Sequence, residues 1–152
     1  MYTRLENRFD ILEVVRRLCE KACPEYTFAF EDRSAMNVKA DNIPFPSVYF
    51  EEYRRGWYTL PYFNQKTTVA ELYFCKSGPM HDDGFNREKL RLEIEAEAVK
   101  PFLKLLRDTD WLQRNGIYFS EIKKVDFFTP PPRFDANEVS IMLQFELTLL
   151  SC

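Results

Sequence analysis

The chain has 152 residues, 45% of them hydrophobic and 16% aromatic, with a formal net charge of −3 at pH 7. That much apolar surface excludes a disordered chain, and the acidic balance leaves no basic face for a phosphate backbone, so nucleic acid is not an expected partner. A chain of this size buries roughly 70% of its unfolded surface and needs no metal or disulfide to fold, so a single domain over residues 1–152 is predicted.

The opening Met1-Tyr2-Thr3-Arg4 lacks the apolar run of a secretory leader, and no stretch reaches the roughly 18 apolar residues of a membrane span. The four cysteines, Cys19, Cys23, Cys75 and Cys152, form no secreted framework. Free thiols in a cytoplasmic protein are expected, with no membrane association.

Thr3-Arg4-Leu5-Glu6 has the form of a capping box. Leu5, Phe9, Leu12, Val15, Leu18, Cys19 and Ala22 then recur at helical spacing, and Pro24 ends that helix. Tyr26, Phe28 and Phe30 alternate as a short strand. A loop over 31–46 closes with Ile43-Pro44-Phe45-Pro46, which favours an extended entry into a strand at Ser47 to Tyr53. Thr67 to Cys75 is the next β-rich run. These two strands predict a hairpin with a long aromatic connection.

After a turn-rich loop, Leu90, Ile94, Ala98, Phe102 and Leu105 mark a long helix from about Asn86 to Arg107. Pro101 lies inside it and predicts a kink or break near Val99. Asn115-Gly116 precedes a strand expected from Ile117 to Phe127, and Pro130-Pro131-Pro132 stiffens the next loop. In the last element, Val139, Ile141, Leu143, Phe145, Leu147 and Leu149 alternate with polar or smaller partners, so one face is buried and the other wetter. The expected fold is α+β, order α-β-β-β-α-β-β: an antiparallel or mixed sheet of about five strands with two main helices on one face.

Motifs for chemistry are sparse. His81, the sole histidine, lies in Pro79-Met80-His81-Asp82-Asp83-Gly84 and reads as a solvated turn. Cys19 and Cys23 share a helix face, but zinc needs a second close pair, which Cys75 and Cys152 do not supply. No Ser-His-Asp or Cys-His-Asn set can be built, and no glycine-rich phosphate loop is present. Glu121-Ile122-Lys123 has the E-x-K form of one nuclease class and would need a neighbouring carboxylate such as Glu71 or Asp126 to hold a divalent metal. No catalytic set, metal or cofactor is assigned.

The most unusual segment is Phe45 to Phe63, which mixes eight aromatics with Arg54 and Arg55. Tyr, Trp and Arg dominate protein–protein hot spots. Arg54, Arg55, Trp57, Tyr58, Tyr62 and Phe63 are the candidate interface, in a connection from Arg54 to Phe63 expected to project from the sheet.

Four features together carry a resemblance: the helix at Leu5 to Cys23, the strand entry Phe45-Pro46-Ser47-Val48-Tyr49-Phe50, the helix around Leu90 to Leu106, and the ending Asp135-Ala136-Asn137-Glu138-Val139-Ser140-Ile141-Met142-Leu143-Gln144-Phe145-Glu146-Leu147. In pattern the chain resembles the small tail-terminator or tail-completion proteins of long-tailed phages and prophages. The resemblance implies a non-enzymatic assembly protein that self-associates into a ring, often six-fold, and meets neighbouring tail or head-connector proteins. The alternatives are a bacterial protein-binding module using the 45–63 segment, and a metal-dependent nuclease using Glu121 and Lys123.

Overall fold

A computed structural model describes residues 10–31, 45–61, 65–77, 83–131 and 138–149. The first helix, α1 (Ile11–Ala22), is capped by Asp10, whose carboxylate accepts the Glu13 N–H at 3.0 Å. The anticipated Thr3–Glu6 box lies outside the described residues. Val14, Val15, Leu18 and Cys19 form the buried stripe of α1, while Glu13 pairs with Arg16 and Arg17 on the wet side.

Among the described residues six strands make one mixed sheet. β1 (Thr27–Glu31) runs parallel to β2 (Ser47–Glu51), and β2 is antiparallel to β4 (Lys66–Ser77). β4 pairs along its whole length with β6 (Glu138–Leu149), and β5 (Asp126–Phe128) borders β6 on the far side. The remaining strand, β3 (Gly56–Tyr58), joins β4 on the β2 side. β6 is thus internal, as its uninterrupted alternation requires.

Alternation along the strands separates two faces. Val48, Phe50, Leu72, Phe74, Ile141 and Leu143 point at the helices and form the main core with Leu18, Ile94 and Phe102. The other face, expected to be wetter, carries a second buried cluster. Tyr49 and Tyr73 are cross-strand partners there, stacked at 4.7 Å and 4° beside buried Cys75.

The long helix is α2 (Gly84–Ile94), a π turn (Glu95–Val99) and α3 (Lys100–Leu105). Pro101 has no N–H for the carbonyl four residues back. The helix absorbs this mismatch in the single π turn, where the Lys100 N–H bonds the Glu95 carbonyl. The interruption expected near Val99 is this turn.

A short helix the sequence pattern does not reveal, α4 (Thr109–Arg114), is capped by Asp108 and ends at Gly116, whose φ of 70° suits glycine. The strand expected from Ile117 to Phe127 is corrected. Only Asp126–Phe128 is strand, preceded by one bridge, Phe119 to Leu149. Ile117, Phe119, Ile122 and Val125 pack against the core, and the spacing of three from Phe119 onward cannot keep side chains on one face of a ladder.

Candidate interaction surface

The aromatic segment is built on a bulge. β2 pairs Phe50 with Leu72, and β3 pairs Gly56 with Thr68, so six steps along one strand face four along the other. The surplus lies in Glu51 to Arg55 and bends the strand. β3 then re-enters the sheet through Gly56, where an added Cβ would lie 2.1 Å from the Thr67 carbonyl oxygen. The connection expected to project therefore continues the sheet border for three residues before it turns.

The two arginines diverge. Arg54 folds inward, its guanidinium 4.9 Å from the Phe50 ring centroid and 5.4 Å from that of Phe30, while Nη1 donates to the Glu52 carbonyl. Burial lowers its pKa from the ordinary arginine value. Arg55 is exposed, and its carbonyl accepts the Val69 N–H at 2.9 Å.

Around Arg55 the segment exposes large apolar and aromatic side chains. Tyr53 is 71% exposed, Trp57 43%, Tyr58 61% and Leu60 81%. Four exposed side chains of this size within eight residues mark the segment as the candidate contact surface. Lys66 lies over the Tyr58 ring at 5.8 Å. Tyr62 and Phe63 fall outside the described residues, so the site comprises Tyr53, Arg55, Trp57, Tyr58 and Leu60. Tyr53 and Leu60 join it on exposure alone, which the sequence pattern does not report.

A second polar constellation sits at the π turn. The Glu97 carboxylate accepts from the Tyr26 hydroxyl at 3.1 Å and from Lys76 Nζ at 3.0 Å, and Lys76 also reaches Glu93 at 3.2 Å. These bonds tie the start of β1 and the end of β4 to the helix. The hydrogen bond from Lys76 holds the Glu97 carboxyl below its usual range, with Tyr26 adding to it. Burial and the Glu97 hydrogen bond push the Tyr26 phenol up.

The E-x-K residues lie off any strand, both exposed. Glu121 and Lys123 line a groove of about 650 Å³ with Arg55, Lys124, Asp126 and Glu146. Glu71 is not part of it: its carboxylate accepts from Gln144 at 3.4 Å and from the Tyr73 hydroxyl at 3.5 Å. Among the described residues no three His, Cys, Asp or Glu side chains are grouped to hold a metal ion; His81 lies outside them. No described helix is long and apolar enough to cross a membrane.

No protein-family model matches the chain, and no curated protein matches it.

Proposed function

We propose that the protein is a non-enzymatic structural subunit that acts by assembly, of the tail-terminator type its sequence pattern resembles. In this reading identical copies form a ring in the host cytoplasm, and the ring meets neighbouring tail or head-connector proteins of a phage or prophage particle. The observation that supports it is the aromatic border Tyr53, Trp57, Tyr58 and Leu60. These side chains are large and exposed, and two of them, Trp57 and Tyr58, are mounted on β3, which Gly56 holds close against the sheet. Rigid aromatics on a fixed strand lose little entropy on contact, which suits a protein interface.

The test is solution mass by light scattering over a range of concentrations, for the native chain and for Trp57→Ala with Tyr58→Ala. The expected result is a multiple of the chain mass that falls in the double variant, with the melting temperature nearly kept. A native chain that stays monomeric overturns self-assembly and leaves the border to a different protein. Unchanged mass with a collapsed melting temperature makes the aromatics part of the fold.

A further inference from the structure

β3 pairs with β4 on one side only, and its outer edge is open. The Arg55 carbonyl accepts the Val69 N–H at 2.9 Å, Trp57 pairs with Thr67, and the Thr59 N–H reaches the Gln65 carbonyl at 2.9 Å. Backbone groups alternate sides along an extended strand, so Arg55, Trp57 and Thr59 turn theirs to β4. Gly56 and Tyr58 turn theirs the other way, and among the described residues no backbone group bonds them there. Two rungs of N–H and C=O thus stand open beside the exposed aromatics. The register also sorts the side chains by face. Arg55 and Trp57 share the face of Val69 and Thr67. Tyr58 shares the opposite face with Lys66, whose Nζ is 5.8 Å from its ring centroid. Each face of the edge therefore offers one aromatic ring and one cation, all four of them exposed. Among the described residues neither Arg55 nor Lys66 has an ion-pair partner. Gly56 to Leu60 contains no acidic residue, and the nearest carboxylate before it, Glu52, lies in the bulge.

We propose that this edge binds an extended, acidic segment of a partner protein by strand addition. The backbone of the segment fills the open rungs of Gly56 and Tyr58, and its side chains alternate between the two faces. On one face they meet Arg55 and Trp57, on the other Tyr58 and Lys66, so either face accepts a carboxylate beside an apolar group. Cations with no internal ion pair favour an acidic chain and reject a basic one, and they set register and encounter rate more than affinity. Main-chain bonding supplies the affinity, which suits an edge of few residues to a weak or repeated contact. The inference rests on the reading of this border as a protein-contact surface, and it adds the chemistry of the partner and the mode of contact.

Peptide binding to the full chain tests it, read by calorimetry and by amide hydrogen exchange. The probe is a short blocked peptide that alternates valine with aspartate. One control carries lysine in place of aspartate, and the other is N-methylated at every amide, which removes its backbone donors. The acidic peptide is expected to bind about tenfold or more tightly than either control. It should slow exchange of the Gly56 and Tyr58 amides and leave that of Trp57, already bonded to β4, unchanged. Arg55→Glu with Lys66→Glu, its fold checked by melting, should reverse the preference between the acidic and the lysine peptide. Equal binding of those two peptides by the native chain overturns the acidic partner. Equal binding of the N-methylated peptide overturns strand addition. If no peptide binds while the native chain assembles, the proposal falls and the assembly reading stands; protection of Gly56 and Tyr58 that then grows with protein concentration makes a second copy the occupant. Tight acidic-peptide binding by a chain that stays monomeric at every concentration supports the edge and overturns self-assembly.

Discussion

Gly56 passes so close to Thr67 that a single methyl at its Cα would stand 2.1 Å from the Thr67 carbonyl oxygen and 3.1 Å from its carbonyl carbon. The obstacle is backbone, which cannot rotate away as a side chain would. β3 pairs across this point, and the exposed aromatics follow directly. The glycine therefore holds the aromatic border against the sheet.

Gly56→Ala should destabilise the fold by about 2 kcal/mol or more, since either the β3 ladder or β4 must shift. Gly84→Ala is the internal control. Its Cβ would meet only the end of the Arg87 side chain at 4.0 Å, at the start of a helix, so alanine should be neutral or stabilise by up to about 1 kcal/mol. Denaturant unfolding of the two variants checks the contrast; equal effects would mean that the close approach has no energetic weight.

The sequence made the large periodic elements legible. The stripe of α1, the alternation of β6 and the interruption caused by Pro101 all follow from residue spacing. The same spacing argument failed between Phe119 and Val125, where inward side chains come every three residues and pin the chain without a ladder. It also missed α4, whose six residues are too few to show a period. The aromatic site was legible as composition only. That Arg54 turns in while Arg55 stays out depends on Phe30 and Phe50 standing on neighbouring strands to receive its guanidinium, a matter of register between strands distant in sequence.

Glu97 should give stability a dependence on pH in the acid range. Its folded carboxyl lies below the ordinary 4.5 because Lys76, then Tyr26, hydrogen-bonds the charged form. A depressed acid stabilises above its unfolded pKa, and that contribution is lost as the pH falls through the folded value. The side chain is 47% exposed, so screening limits the effect to at most about 1 kcal/mol. Glu97→Gln should be less stable than the native chain at pH 7, and the gap should close towards pH 3. A gap constant from pH 7 to 3 would show that the ionised carboxylate is not what stabilises.

The buried thiols should be slow to react in the folded state. Cys19, Cys23 and Cys75 are each 1–2% exposed. Burial pushes the Cys23 thiol up to about 12, and it raises Cys19 and Cys75 as well. Glu138, 3.7 Å from the Cys75 sulfur, adds to that rise. Reaction needs the thiolate, which is scarce at neutral pH for such groups. In a Cys152→Ser background, a thiol reagent should therefore label the protein at the rate of unfolding, and denaturant should release all three sites together. Rapid labelling of Cys75 in native conditions would show that the face bearing Tyr49 and Tyr73 opens.

The adjacent arginines should separate stability from assembly. Arg54 stacks on Phe30 and Phe50, two aromatic partners on neighbouring strands, so its charge and its stem both serve the fold. Removing it uncovers both rings at the border of the sheet. Arg54→Ala should cost about 1–2 kcal/mol by the cation–π range and lost packing. Arg54→Lys should recover only part of this, since a compact ammonium cannot lie flat across two rings. Arg55 contributes backbone bonding to Val69 and an exposed side chain, so Arg55→Ala should leave stability within about 0.5 kcal/mol. Its exposed side chain nonetheless sits one residue before β3, the strand that carries Trp57 and Tyr58, at the border assigned to protein contact. Arg55→Ala should therefore lower association in solution while Arg54→Lys lowers the melting temperature. Paired melting and light-scattering measurements decide it: if Arg55→Ala destabilises as much as Arg54→Ala, the two arginines do not have separate roles.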